Sequence, residues 1–208
     1  MISLKTLLIL IVLLLFIRYN IKDKRRKSKS TKLFYATSEY PILKLFERSW
    51  INIRNEAINI QKNIYAIQDF INISNKIIQY NIMKNDVFVV KNSQICMVTT
   101  TLLSQITGIR LAKFFIMKPY SISPIFKNNG NQKNNITYVL TLDSPTDNIF
   151  KLYCSGQTMS HKNGRAYIFD SSYPYYFENQ SNYSDVIILY IDIDLNYFFN
   201  QTNFYSKS

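Results

Sequence analysis

The hydrophobic pattern of the chain opens with one long apolar run. Residues 7–17 (LLILIVLLLFI) are all apolar, and Lys5 is the only charged residue before Arg18. A helix that crosses ~30 Å of hydrocarbon needs about 20 residues, and the stems of Lys5 and Arg18 can extend to the two interfaces. The run therefore predicts a transmembrane anchor over residues 1–19. A cleaved signal peptide is the alternative, because its apolar core has this length, but no small-x-small cleavage site follows.

A second pattern, with helical spacing, begins at Pro41, a residue that suits the first turn of a helix. It predicts an amphipathic helix over residues 41–61 that packs against a sheet. Residues 64–81 are less regular, and we interpret them as containing a short helix. The apolar stripe of the first helix comprises Ile42, Leu45, Phe46, Trp50, Ile53 and Ile60.

From residue 86 onward the pattern changes to short β-rich runs separated by turn-rich segments, with one short helix predicted over residues 102–106. Many short strands at this spacing are typical of a sandwich, a barrel or a jelly roll. The sequence contains no glycine-rich phosphate loop, zinc motif or nucleophile elbow. Strands are predicted over residues 86–90, 109–117, 135–142, 150–155, 164–170 and 185–193.

The formal net charge of +12 is concentrated near the start of the chain. Residues 18–32 carry eight basic residues and one acid, a local net charge of +7, whereas residues 33–208 carry only +4. A nucleic-acid-binding domain would need a basic face on its folded part, so we expect no nucleic-acid partner. Instead, the cluster predicts contact with anionic lipid headgroups. Heavy use of Asn, Ile, Lys and Tyr is typical of low-GC coding sequences, such as those of some large DNA viruses.

Metal-binding and redox residues are few. Cys96 and Cys154 are the only cysteines, which is too few for a disulfide framework or a zinc site. We interpret them as two separate thiols, and a single disulfide remains the alternative in an oxidising compartment. His161 is the only histidine.

Four segments resemble the aspartyl/asparaginyl β-hydroxylase family in the same order and at similar spacing. The resemblance runs from about residue 33 to residue 194. Within it, Thr99 and Thr100 match paired threonines of the family, Arg110 matches an arginine after a Gly-Ile turn, and Gly164 matches a turn before a strand. The four segments are LFERSWINIRNEA, CMVTTTLLSQITGIRLAKFFIMKPYSISPIF, GQTMSHKNGRAYIFDSSYPYYFEN and DVIILYIDID.

The resemblance implies a mainly β fold, a double-stranded β-helix (a jelly roll, cupin-like) preceded by amphipathic helices and the anchor. The chain would then comprise a transmembrane anchor (1–19), a basic linker (20–32) and a hydroxylase-like domain (33–208). In that domain residues 33–85 would be mainly helical and residues 86–195 mainly β. Family members bind catalytic iron through two histidines and use 2-oxoglutarate as co-substrate.

The residues that carry this chemistry in the family are replaced here. The resemblance places Phe126 and Tyr175 at the two iron-binding histidine positions, and we expect their rings to face one another. It places Val186 at the arginine that grips the 2-oxoglutarate carboxylate. His161 lies in a loop that the family does not use for iron. Asp143, Asp170 and Asp185 are an alternative set of oxygen ligands. The other co-substrate positions are occupied by Phe115, Thr137 and Val139.

The sequence therefore predicts a membrane-anchored, catalytically inactive member of this family that acts as a binding or scaffolding module. We expect no catalytic residue, no metal and no cofactor. Its partners would be membrane lipid, through residues 1–32, and a protein or peptide. The alternative is an active Fe(II)- and 2-oxoglutarate-dependent peptidyl Asp/Asn hydroxylase with unusual ligands. A third hypothesis is a viral or envelope membrane component whose ancestry is irrelevant to its role.

The charge distribution predicts the orientation in the membrane. Segments rich in Lys and Arg stay cytoplasmic, so residues 18–208 should face the cytoplasm. In intact vesicles whose cytoplasmic side faces outward, added protease should therefore digest residues 18–208. Glycosylation would contradict the prediction if it occurred at any of the five Asn-x-Ser/Thr sequons, at Asn72, Asn135, Asn179, Asn182 and Asn200.

Overall fold

A computed structural model describes residues 32–63, 70–127 and 135–202. The chain divides into two units, Met1–Lys32 and Leu33–Ser208. Apart from Lys32, the first unit lies outside the described residues, and so do the predicted anchor and almost all of the basic linker. Within the described ranges, no helix has the length and apolar character needed to cross a membrane.

The predicted helix over residues 41–61 is confirmed, but it is interrupted. After a short strand β1 (Phe34–Tyr35) and two 3₁₀ turns (Thr37–Glu39 and Pro41–Leu43), α1 covers Lys44–Arg48 and α2 covers Trp50–Lys62. Ser49 separates the two helices with φ −98° and ψ 9°. The fully buried side chains of α2 are Ile53, Ala57 and Ile60, which fits the stripe in the sequence. This face packs on the core of the large sheet, as predicted.

The short helix expected within residues 64–81 is wrong where the structure describes that segment. Residues 70–84 form a hairpin of β2 (Phe70–Ser74) and β3 (Ile77–Lys84). The physical reason is tertiary pairing, because β3 hydrogen-bonds along β5 (Ile109–Met117) and so extends the sheet by two strands. Such pairing overrides a weak local preference. Residues 64–69 lie outside the described residues.

Two further predictions in the helical region need correction. The strand expected over residues 86–90 is only β4 (Val87–Phe88), and α3 (Val90–Ile95) follows it. The short helix expected over residues 102–106 lies earlier, as α4 (Met97–Leu103). Glu56 of α2 accounts for this position, since its carboxylate accepts hydrogen bonds from the Val98 and Thr99 amides at 2.6 and 3.1 Å. The first backbone amides of a helix have no hydrogen-bond acceptor within the helix itself, so a carboxylate at that end stabilises them.

The remaining strands largely follow the sequence pattern. The predicted strands over residues 109–117, 135–142, 150–155, 164–170 and 185–193 are confirmed to within two residues. Three short strands, Ser121–Ile122, Gln157–Ser160 and Tyr175–Asn179, were not predicted. In chain order after β5 come β6 (Ser121–Ile122), β7 (Asn135–Asp143), β8 (Phe150–Cys154), β9 (Gln157–Ser160), β10 (Ala166–Asp170), β11 (Tyr175–Asn179), β12 (Val186–Asp194) and the helix α5 (Leu195–Thr202).

The described strands form two antiparallel sheets. The large sheet has eight strands in the order β1-β10-β7-β12-β5-β3-β2, with β4 paired to β3, and the small sheet has the order β6-β11-β8-β9. Among the strands from β5 to β12, the first pairs with the last, the second with the seventh, the third with the sixth and the fourth with the fifth. This nested pairing across two sheets defines a jelly roll. The expected mainly β, double-stranded β-helix is therefore confirmed.

The core has two parts, one on each face of the large sheet. Because successive side chains of a strand point to opposite faces, Phe114 and Ile116 of β5 face the helices, and Phe115 and Met117 face the small sheet. Cys96 belongs to the helical side and Cys154 to the space between the sheets. Both are buried free thiols, so the alternative of a single disulfide is not realised in this structure.

Gly164 permits the close approach of α2 to the turn before β10. Its φ is +75°, and a Cβ atom there would lie 2.9 Å from Cε2 and Nε1 of Trp50. Gly156 in the β8–β9 turn has a similar φ of +80°, but a Cβ atom there would meet nothing within 4 Å. The two glycines therefore separate the cost of the backbone conformation from the cost of the contact with Trp50.

We predict that Gly164→Ala destabilises the fold more than Gly156→Ala. Both variants place a side chain in the left-handed region, which costs about 1–2 kcal/mol. Gly164→Ala also forces the Trp50 indole to move, which adds about 1–3 kcal/mol. Urea unfolding of both variants checks this. Equal destabilisation would contradict the proposed Trp50 contact.

Candidate functional site between the two sheets

The jelly roll brings the six positions identified from the resemblance into one region. Phe115 lies on β5, Val186 on β12 and Tyr175 on β11, and each is buried in the core between the sheets. Val139 on β7 belongs to the same core, and Phe126, which follows β6, is half-buried against it. Thr137 is buried two residues before Val139 on β7. The assignment of these positions to the iron and co-substrate sites of the family stays a prediction.

Phe126 and Tyr175 are in direct contact, as we expected. Their backbones form an antiparallel bridge, in which each N–H donates to the other carbonyl at 2.8 and 2.9 Å. Their ring centroids are 5.6 Å apart with an interplanar angle of 38°. Phe169 packs on the other side of Tyr175 at 4.9 Å, and Phe115 lies 6.3 Å from Phe126. Aromatic packing therefore fills the space between the two predicted ligand positions.

Hydroxyl groups and a carboxylate form a small polar cluster beside these rings. The Tyr175 and Tyr190 hydroxyl groups are 2.7 Å apart and hydrogen-bonded. Thr137 Oγ1 donates to Asp192 Oδ1 at 3.3 Å, and the Asp192 side chain is buried. Burial is the main cause that raises the pKa of Tyr175 and of Tyr190. Both phenols therefore stay protonated at neutral pH, and a protonated phenol is a poor metal ligand.

A buried lysine completes this cluster. Lys113 of β5 is only 6% exposed, and its Nζ lies over the Tyr190, Phe115 and Phe126 rings, at 4.7, 5.3 and 5.9 Å from their centroids. Burial lowers the pKa of Lys113 to about 8, and the Asp192 carboxylate acts in the opposite direction. A cation over aromatic faces is attracted by the ring quadrupoles.

The sequence motifs do not point to Lys113, Tyr190 or Asp192. One signal was available for Lys113, because the other positions on its face of β5, Leu111, Phe115 and Met117, are apolar. Alternation alone assigns Lys113 to the same face as Phe115. An ionisable residue at such a position is worth noting, since an unpaired buried charge is costly.

The side chains at the positions that the resemblance assigns do not fit Fe(II) and 2-oxoglutarate. Phe126 has no donor atom, Tyr175 is a protonated phenol, and Val186 cannot form an ion pair with a carboxylate. Within the described residues, no three His, Cys, Asp or Glu side chains are placed so that they could hold a metal ion.

The alternative oxygen-ligand set is also not assembled in the structure. Asp143 accepts two hydrogen bonds from Arg54, at 3.0 and 2.8 Å. Asp185 is paired with Lys118 at 2.9 Å, and Asp170 accepts from the Ser172 amide within its own turn. The three carboxylates thus have separate structural roles.

His161 is a core residue beyond the end of β9. Its ring packs between Phe150 and Tyr167 at 4.5 and 4.7 Å, and Nδ1 lies 2.8 Å from Thr141 Oγ1. The side chain is fully buried, and burial lowers its pKa to about 3. The imidazole is therefore neutral at physiological pH and contributes to packing.

Comparisons with known proteins agree with the sequence motifs. The family model described as "Aspartyl/Asparaginyl beta-hydroxylase" matches residues 47–194, which is more than half of the chain. The chain belongs to the aspartyl/asparaginyl β-hydroxylase family. No curated protein sequence matches it.

Similar solved structures include three cupin-like or enzymatic domains of low identity. A predicted oxalate decarboxylase of Thermotoga maritima has 15% identity, a TM-score of 0.43 and coverage of 62% of this chain and 96% of its own. The Cnp3 cupin domain of Schizosaccharomyces pombe has 13% identity and a TM-score of 0.41, and the match covers 61% of this chain and 70% of that domain. Ectoine synthase of P. lautus has 12% identity and a TM-score of 0.41, and the match covers 64% of this chain and 74% of the synthase. All these TM-scores are below 0.5, and the fold assignment depends on the strand order described above.

We predict that His161 makes the fold sensitive to mild acid. The unfolded chain binds a proton near pH 6.5, whereas the buried imidazole does so only near pH 3. The penalty is absent above pH 6.5 and grows as the pH falls toward 3. Between pH 7.5 and 5.5 it should cost about 1.4 kcal/mol of unfolding free energy.

Urea unfolding at both pH values measures this loss, with His161→Gln as the control. The variant removes the titrating group, so its loss over the same interval should be smaller by about 1.4 kcal/mol, whatever its own stability. An identical pH dependence in both proteins would contradict the assignment.

Proposed function

We propose that this protein is a membrane-anchored hydroxylase-like domain that has lost hydroxylase chemistry and acts as a binding or scaffolding module. The observation that carries the proposal is the filled interior of the jelly roll. Phe126 and Tyr175 pack ring against ring, and Val186 is an apolar core residue. The groups that the family uses for iron and 2-oxoglutarate have no chemical equivalents at these positions.

The chemistry of the family has specific requirements. A non-haem Fe(II) site that activates oxygen needs imidazole and carboxylate ligands that leave open coordination positions. The dicarboxylic co-substrate needs a cationic fork, which an arginine provides. If the site were loaded, Fe(II) would supply the redox chemistry. Phe126, Tyr175 and Val186, at the positions that the resemblance assigns, meet neither requirement.

A binding role would use the outer surface. The outer face of the small sheet carries the exposed side chains Ile122 and Ile125, together with Tyr153 and Tyr176, whose rings are stacked 4.6 Å apart at an angle of 9°. A groove of about 260 Å³ lies beside this pair, between the β8–β9 turn and Pro174. Exposed apolar and aromatic groups in one place are typical of contact surfaces. This is where we expect a protein or peptide partner.

The anchoring proposal depends on residues 1–32. The apolar run over residues 7–17 and the basic cluster that follows it would hold the domain at the cytoplasmic side of a membrane. The basic residues would also attract anionic lipid headgroups.

The direct test of the proposed function is turnover by the purified full-length protein. We expect no stoichiometric binding of Fe(II) in the presence of 2-oxoglutarate without oxygen, and no succinate release in air. The physical reason is that the predicted ligand positions offer no donor set. Iron binding with 2-oxoglutarate-dependent succinate release would instead support an active hydroxylase with unusual ligands.

The double variant Phe126→His, Tyr175→His sharpens this test. It should lower the unfolding free energy by about 1.5–3 kcal/mol, because it removes the half-buried Phe126 ring and the buried Tyr175 ring. It should not restore succinate release, since Val186 still cannot hold the co-substrate. Phe88→His, at a half-buried position of β4 packed on the helical side, is the control for the effect of a phenylalanine-to-histidine change elsewhere. Activity in the double variant alone would refute the view that the co-substrate site is lost as well.

A further inference from the structure

We propose that the ammonium of Lys113 and the carboxylate of Asp192 are two compensating buried charges that occupy the interior where the family holds its metal and co-substrate. This inference deepens the proposed function and depends on it for the position of the old site. It goes further by naming the groups that replace the missing ligands. The protein would supply from its own chain both the cation and the carboxylate that its relatives take from outside.

Strand register brings the two charges together on one face. Lys113 of β5 lies opposite Tyr190 of β12, and Asp192 lies opposite Leu111. Residues two apart on a strand share a face, so Lys113 and Asp192 are diagonal neighbours between the sheets. On its other side, Asp192 pairs in register with Thr137, whose hydroxyl donates to it. The carboxylate is thus fixed by a hydrogen bond from β7, and it lies on the same face of the sheet as Lys113 of β5.

The surroundings of the ammonium argue that it acts as a cation at this place. Its Nζ lies over three rings, and two of them, Phe115 and Phe126, occupy positions that the resemblance assigns to co-substrate and iron. Tyr190, the closest ring, is fixed by its hydrogen bond to Tyr175. The rings and the carboxylate therefore surround the ammonium with groups that favour positive charge. An added metal cation would meet repulsion from this ammonium.

Substitution of Lys113 should have one effect if the core only needs volume and another if the two buried charges compensate each other. A core that only needed volume would tolerate an apolar side chain at position 113. Two compensating buried charges behave differently, because removal of one leaves the other buried and uncompensated. Removal of both charges together restores balance. The two descriptions therefore predict different double-variant behaviour.

The first experiment is a thermal-unfolding cycle on the full-length protein with Lys113→Met, Asp192→Asn and the double variant. Lys113→Met should lower the midpoint by on the order of 10 °C. The double variant should lose clearly less than the sum of the single losses. Lys118→Met is the control, because Lys118 pairs with Asp185 but is 39% exposed, and it should change the midpoint by only about 1–3 °C. Additive losses would overturn the proposal.

The second experiment asks whether an external cation can replace the lost one. Lys113→Ala removes three methylene groups and the ammonium, so propylammonium matches the missing atoms. The thermal-unfolding midpoint of Lys113→Ala should rise when millimolar propylammonium chloride is added, compared with sodium chloride at equal ionic strength. Neither 1-propanol on this variant nor propylammonium on Lys118→Ala should have this effect. Equal stabilisation by 1-propanol would show that only volume matters and would overturn the proposal.

A measurement on the unmodified protein covers the case in which these variants fail to fold. Reductive methylation with formaldehyde, followed by mass spectrometry, should modify Lys118 at least about tenfold faster than Lys113, because only a burial-breaking fluctuation exposes Lys113. Equal rates would overturn the proposal. These results are independent of the turnover assay, so failure of the charge-compensation proposal can be told apart from failure of the proposed function.

Discussion

A charged group inside a protein must be compensated, and this constraint governs the interior of the jelly roll. Lys113 and Asp192 are both almost fully buried between the two sheets. The aromatic rings around the ammonium and the Thr137 hydroxyl beside the carboxylate are arranged so that neither charge is isolated. The aromatic rings around the ammonium therefore do more than fill volume. Phe115, Phe126 and Tyr190 contact the ammonium directly, and Tyr175 holds Tyr190 in place through a hydrogen bond.

A complete jelly roll surrounds this interior. The nested pairing of β5 to β12 is complete, and the helical layer is joined to the large sheet by specific contacts. Glu56 accepts hydrogen bonds from the backbone amides at the start of α4, and Arg54 donates hydrogen bonds to Asp143 at the end of β7. The Trp50 indole lies against Gly164. These contacts stabilise the frame without using the space between the sheets, so the frame can persist when the chemistry between the sheets changes.

The sequence predicted the frame better than the centre. Strands such as β5 and β12 are long apolar runs bounded by turns, and their positions follow from local pattern. The hairpin β2–β3 was missed because its strands are defined by pairing with β5, which lies far away in sequence. The resemblance brought Phe126 and Tyr175 together correctly. It did not point to Lys113 and Asp192, whose relation depends on the register of two strands about 80 residues apart.

The central claim is that the protein's own side chains fill the position of the metal. The most direct test is a crystal structure of the protein. The crystals would be grown without oxygen in the presence of Mn(II) and 2-oxoglutarate, and anomalous data would be collected for manganese. The account predicts no anomalous peak between Phe126 and Tyr175, with the Lys113 ammonium over the Tyr190 ring. A manganese peak between the two sheets, with 2-oxoglutarate bound beside it and Lys113 displaced, would contradict the account.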